Sequence, residues 1–171
     1  ADQDGNPISG ATVTLKDSGG ATEKTAATNT DGYFLDESIA ITVASTTTIT
    51  DSSKNWTVDA HRGKEIIITS GVNAGLRCVV KSNTATQLTL MDALATACSA
   101  GDRAGLPFYA QRCAIDHDPS KGGGVGAGFQ IITDKNPHTL TITKAGFQDY
   151  QEILSINRKM DLEVALGPVP P

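Results

Sequence analysis

A chain of 171 residues can form one larger β domain or two small ones, and either can bury a working core. The net charge of −5, with Lys and Arg scattered singly, offers no basic cluster to a phosphate backbone and speaks against nucleic-acid binding as the main role. No apolar run is long enough to cross a membrane, so no membrane span is expected. Thr, Ser, Gly, Val and Ile dominate, aromatics make up 5%, and no long 3.6-residue apolar stripe occurs, which points to an all-β class.

The chain opens at Ala1 without an initiator Met, as expected of a processed chain or a segment of a longer one. Asp4, Gly5, Asn6 and Pro7 then crowd four turn-formers into one corner. Ala11, Val13 and Leu15 follow, alternating with Thr12, Thr14 and Lys16, the period of a half-buried strand. Asp31-Gly32 repeats the corner and Tyr33-Phe34-Leu35 opens the next strand. Asp2-Gln3-Asp4-Gly5-Asn6 also looks like the front of a calcium loop, because alternate oxygen side chains followed by Gly can wrap a hard cation. It lacks the distal bidentate Glu, so a plain turn is expected and no metal or cofactor.

Further on, Thr46 to Asp51 reads as a strand that Asn55-Trp56-Thr57-Val58 continues, and Lys64 to Gly71 as a buried strand after the Arg62-Gly63 corner. Gly71 to Gly75 is a hairpin turn, Leu76 to Lys81 its partner strand, and Gln87 to Leu90 the next. Ala93 to Ala97 could be a helical turn, Leu106 to Arg112 a short strand, and Ser120 to Gly128 a glycine-rich hinge. Gly128 to Thr133 reads as an exit strand completing the pairing that Tyr33-Phe34 began. Strands are also expected at His138 to Phe147, Tyr150 to Ile156 and Met160 to Leu166.

The two corners and the strands after them resemble the carboxypeptidase regulatory-like, prealbumin-like domain, whose pattern is a D-x-x-G-x-P-x-x-G-A-x-V start followed by a T-x-x-x-G-x-F strand. That pattern breaks off near Asp36-Glu37 and resumes at His138 to Phe147. The segment between, over Thr46 to Leu90, is similar to a small β module of phage structural and bacterial surface proteins, with T-D-x-x-x-x-W, G-x-x-V-x-I-x-S-G-x-N-A-G and I-x-S-N-T-x-T-x-L-T; it departs from it at Cys78. The resemblance implies an immunoglobulin/prealbumin-like sandwich with an inserted small β domain, the host over 1–44 and 128–171 and the insertion over 45–127. It also implies one further strand before the first turn, supplied by unseen sequence or by another chain. The proline-rich tail, Pro168 to Pro171, would then be an extended arm.

Cys78, Cys98 and Cys113 lack metal-ligand spacing. Cys98 and Cys113 bracket an irregular stretch where a disulfide would replace missing core, with Cys78 a buried apolar residue. Asp116-His117-Asp118 cannot all face one ion from an extended chain and reads as a solvated loop. Gly122 to Gly128 opens onto a strand rather than a helix, which rules out a dinucleotide turn and leaves a flexible connection. Asn55-Trp56-Thr57 is a formal glycosylation sequon. Trp56 either anchors a small core or forms an exposed sugar-stacking platform.

No nucleophile elbow, Ser-His-Asp order or phosphate-cradling Lys is present. The expected role is therefore a non-catalytic structural module of an extracellular, cell-surface or virion assembly, partnered by copies of itself or other surface proteins through edge strands. A glycan-binding or adhesion module and the accessory domain of a larger secreted enzyme are the alternatives.

Overall fold

The structure, a computed structural model, describes residues 1–108, 113–114, 130–131, 135–156 and 162–170, with the backbone alone at 113–114 and 130–131. The described strands are β1 (Thr12–Lys16), β2 (Thr22–Ala27), β3 (Leu35–Ala40), β4 (Val43–Ala44), β5 (Thr48–Thr50), β6 (Glu65–Ile68), β7 (Arg77–Asn83), β8 (Gln87–Leu90), β9 (Arg103–Pro107), β10 (Cys113–Ala114), β11 (Gln130–Ile131), β12 (His138–Thr143) and β13 (Tyr150–Leu154). All pair antiparallel, and no helix occurs among the described residues. The fold is all-β and sandwich-like, with sheets of four and seven strands. It divides into two compact units: the first comprises Ala1–Asn6, Ala11–Ala27 and Tyr109–Pro171, the second Pro7–Gly10 and Thr28–Phe108.

In the first unit the sheet runs β13-β12-β1-β2. Alternation in β1 sends Val13 and Leu15 to the buried face, where their partners across the strands are Ile142 and Leu140. Thr12 and Thr14 stand on the other face, opposite Thr143 and Thr141. The chain reverses into β2 because Asp17 Oδ1 accepts from the backbone of Gly19 (3.0 Å) and Ala21 (2.9 Å), with Gly20 at φ +82° closing the turn. β10 and β11 form a separate two-stranded pair.

The seven-stranded sheet of the second unit runs β3-β9-β6-β7-β8-β5-β4. A register shift between Val80 and Ser82 bends β7, whose first half pairs with β6 and second half with β8. Ile41 and Thr42 alone connect the two edge strands, β3 and β4, so the sheet must fold back until its edges meet. The crossing is held by Ile41 N donating to Asp102 O (2.9 Å), Thr42 N to Thr50 O (2.8 Å) and Ala40 N to Asp51 Oδ2 (2.8 Å). Inside the fold lie Ile39, Ile49, Ile66, Ile68, Val80 and Leu88, with Leu94 and Cys98 closing the end. These aliphatic residues come from six segments, and their burial at about 25 cal/mol per Å² supplies the main driving force of the unit.

Several expectations are corrected. β3 belongs to the seven-stranded sheet, paired with β9, and not to the sheet of β1. β11 pairs with β10 rather than with Tyr33-Phe34. Asn55 to Val58 is loop, not strand, because its backbone bonds go to the β7-β8 turn: Trp56 N donates to Ala85 O (2.8 Å). Ala93 to Ala97 forms no helix. Leu162 to Ala165 is not strand, and Leu166 makes only an isolated parallel bridge to Asp2. Pro168 bridges Phe147, and Val169 N donates to Gly146 O (3.2 Å), so residues 167–169 lie along the turn before β13 instead of standing off as an arm. The Asp116 to Asp118 and Gly122 to Gly128 stretches lie outside the described residues.

Candidate functional site

The two corners marked in the sequence are built by side chains turned onto their own backbone. Asp2 Oδ1 accepts from Asp4 N (2.9 Å) and Asn6 N (2.8 Å), its Oδ2 takes Asn6 Nδ2 (3.0 Å), and Gly5 sits at φ +86°. These bonds, led by that from the Asn6 side chain, hold the Asp2 carboxyl below its usual range. The carboxylate thus serves the turn. Asn29 Oδ1 does the same for Asp31 N (3.0 Å) and Tyr33 N (2.9 Å). Gly32, at φ +77°, lies so close to Pro7 that a Cβ there would come within 3.2 Å of the proline Cβ.

The Asp31 side chain points away from its own turn to a residue that the sequence did not single out. Arg103 Nε donates to Asp31 Oδ2 (2.8 Å), a second guanidinium nitrogen reaches Oδ1, and Thr69 Oγ1 donates to Oδ2 (2.8 Å). This two-point bond to Arg103 is the main reason that the Asp31 carboxyl is held below the usual range. Asp102-Arg103-Ala104 carries no motif, and Asp31 and Arg103 are separated by 72 residues, so only the fold brings them together.

Trp56 packs against the core and donates its indole N–H to Glu37 Oε1 (2.7 Å), which also takes Lys54 Nζ (2.9 Å). His61 meets the indole edge to face, with ring centroids 5.2 Å apart. Lys64 Nζ has no lone pair, so at 3.3 Å it donates to His61 Nδ1 and leaves the ring proton on Nε2. That nitrogen is buried without a hydrogen-bond partner among the described residues, 3.9 Å from Glu37 Oε2. Burial, then the Lys64 charge, pushes the His61 pKa down, so the ring is neutral. Burial works to raise the Glu37 carboxyl, but the bonds from Lys54 and Trp56 outweigh it and keep the group ionised. The arrangement places Trp56 as a corner anchor, half-buried and tied at both its nitrogens.

A pocket of about 190 Å³ beside this corner is lined by Asn29, Ser38, Asp51, Ser53, Lys54 and Arg103, among others. Its charged groups are already engaged: Arg103 with Asp31, Lys54 with Glu37, and Asp51 with Ala40 N and with Ser53 N and Oγ. In the first unit, fully buried His138 faces Asn136 Oδ1 through Nδ1 (3.0 Å) and Glu23 Oε2 through Nε2 (3.1 Å), while Lys135 Nζ holds the other Glu23 oxygen (2.7 Å). Ile156 N donates to Asn136 Oδ1 and Asn136 Nδ2 donates to Ile156 O, which fixes the amide orientation. Both partners of the ring therefore offer it acceptor oxygens.

Cys78 is half-buried, and burial followed by the neighbouring Cys98 raises its thiol pKa. Buried Cys98 accepts from Asn73 Nδ2 at 3.4 Å. The side chain of Cys113, and with it the expected Cys98–Cys113 pairing, lies outside the described residues. Compared with known proteins, the chain matches no family model, no curated protein and no solved structure.

Proposed function

We propose that this chain is a non-catalytic structural module of an extracellular or virion-surface assembly, such as a filament, sheath, decoration or tail component, and that its discontinuous unit is a carboxypeptidase regulatory-like domain. The observation that carries the reading is how the polar side chains are used. Asp2, Asp17, Asn29 and Asp51 spend acceptor atoms on backbone N–H groups of their own turns, and Asn83 on that of His61 in a neighbouring loop. Asp31 and Glu37 are bound by Arg103 and Lys54. A general base or nucleophile needs a lone pair turned to substrate, whereas these groups brace loops.

The antiparallel pairing of β1 with β12, which brings Val13 opposite Ile142 across more than a hundred residues, supports the carboxypeptidase regulatory-like reading of the first unit. The test is sedimentation velocity with negative-stain electron microscopy over rising concentration, alongside a glycan array. Ordered oligomers with no glycan bound are expected. A monomer at every concentration that binds a glycan through Trp56, losing it on Trp56→Ala, would overturn the reading.

A further inference from the structure

We propose that β13 is the strand through which the four-stranded sheet continues into a second copy of this chain, the two β13 strands pairing antiparallel about a two-fold axis with Ile153 opposite its own copy. This rests on the assembly reading above and names its contact. Among the described residues the sheet ends in β2 on one side and β13 on the other. An edge strand presents unpaired N–H and C=O groups, and proteins that stay monomeric blunt such edges with bulges and inward-pointing charges.

β2 carries those devices. Its register with β1 shifts between Leu15 and Lys16, and its Glu23 turns inward, 8% exposed, to bind His138 and Lys135. A strand added there would meet an irregular edge.

β13 lacks the bulge. Tyr150 to Leu154 keeps an unbroken five-pair register with β12 and contains no Pro, Gly or cation. Its one charge, Glu152, lies half-buried on the face of Leu154, opposite Leu140, and accepts from the Tyr150 hydroxyl on the same strand. Ile153, opposite Thr139, is 69% exposed.

Charge and side-chain parity then select the register. Pairing that keeps both buried faces on one side of a continued sheet requires residues of like parity to oppose one another. Centring on Glu152 sets two carboxylates face to face, which is destabilising. Centring on Gln151 sets Ile153 against Asp149, in the turn before the strand. Centring on Ile153 makes an Ile153–Ile153 pair, sets Glu152 opposite Leu154 and Gln151 opposite Ser155, and closes the contact as an isologous dimer.

The test uses the full chain. In the proposed register the two Cβ atoms at 153 would lie about 4.5–5.5 Å apart, near disulfide reach. Ile153→Cys is therefore expected to give a disulfide-linked dimer under mild oxidation at least tenfold faster than Gln151→Cys or the parent chain. Gln151→Lys with Ile153→Lys should abolish the oligomer seen by sedimentation, while Thr25→Lys on β2 leaves it intact, with melting temperatures confirming that each variant folds. If the parent chain assembles but the β13 lysines change nothing, this inference fails and the assembly reading stands. If the parent chain stays monomeric at every concentration, both fall.

Discussion

Asn83 is the residue whose loss should cost the second unit most for the fewest atoms removed. It is 3% exposed at the end of β7, and its side chain makes three bonds. Nδ2 donates to Thr57 O and Thr84 O, both at 2.8 Å, and Oδ1 accepts from His61 N at 2.8 Å. This one amide thus ties the loop bearing Trp56 and His61 to the sheet at two points, beside the bonds from Trp56 to Ala85 and Glu37. Asn83→Ala removes all three bonds and leaves the His61 N–H facing a void. At about 1 kcal/mol net per bond, with a further penalty for any buried group left unpaired, the loss is roughly 3–5 kcal/mol. For a unit of this size that corresponds to a fall in Tm on the order of 15 °C. Trp56 is the only tryptophan, so its fluorescence during urea unfolding reports this unit alone. Asn83→Asp should do little better, because a carboxylate would face two carbonyl oxygens. A loss below about 1 kcal/mol in both variants would refute the idea that the loop is held from Asn83.

Three other outcomes follow from the same geometry. Gly105→Ala would push a methyl to 2.7 Å from Glu37 O and into the Leu35 side chain, and should cost about 1–3 kcal/mol by overpacking, measured by chemical denaturation. Because Arg103 depresses the Asp31 carboxyl, that pair contributes stability above the unfolded value near 3.8 and loses it as pH falls through the lower folded value; Asp31→Asn should therefore flatten the acid limb of a Tm-against-pH curve, and an unchanged limb would count against the clamp. His138→Ala empties a fully buried site and leaves Glu23 with Lys135 alone of its two partners, so the first unit should lose about 2–4 kcal/mol, read by circular dichroism melting.

How far the sequence foretold this depends on whether a feature is carried by local alternation or by distant pairing. β1, β6 and β12 were legible because Val13 and Leu15, the Ile66 to Ile68 run and Leu140 mark a buried face within a few residues. β2 was not, since Thr-Glu-Lys-Thr-Ala-Ala offers no apolar alternation and its inward residue is Glu23, made tolerable only by His138 and Lys135 from far along the chain. Leu35 announced a strand, yet its sheet was decided by Gly105, whose missing side chain makes room for it on β9. Trp56 carried a strand-like neighbourhood, but the bonds to Ala85, Asn83 and Glu37 that hold it in a loop have no local signal. The turn carboxylates and amides were legible as turn-formers; that Asp31 would reach Arg103 was not.

The most direct measurement of the central claim is amide hydrogen exchange along the whole chain as its concentration rises. Pairing through β13 predicts growing protection at Tyr150 to Leu154, concentrated in the amides that point away from β12, with no change at Thr22 to Ala27. Exchange at β13 that is independent of concentration, or protection that grows at β2 instead, would contradict it.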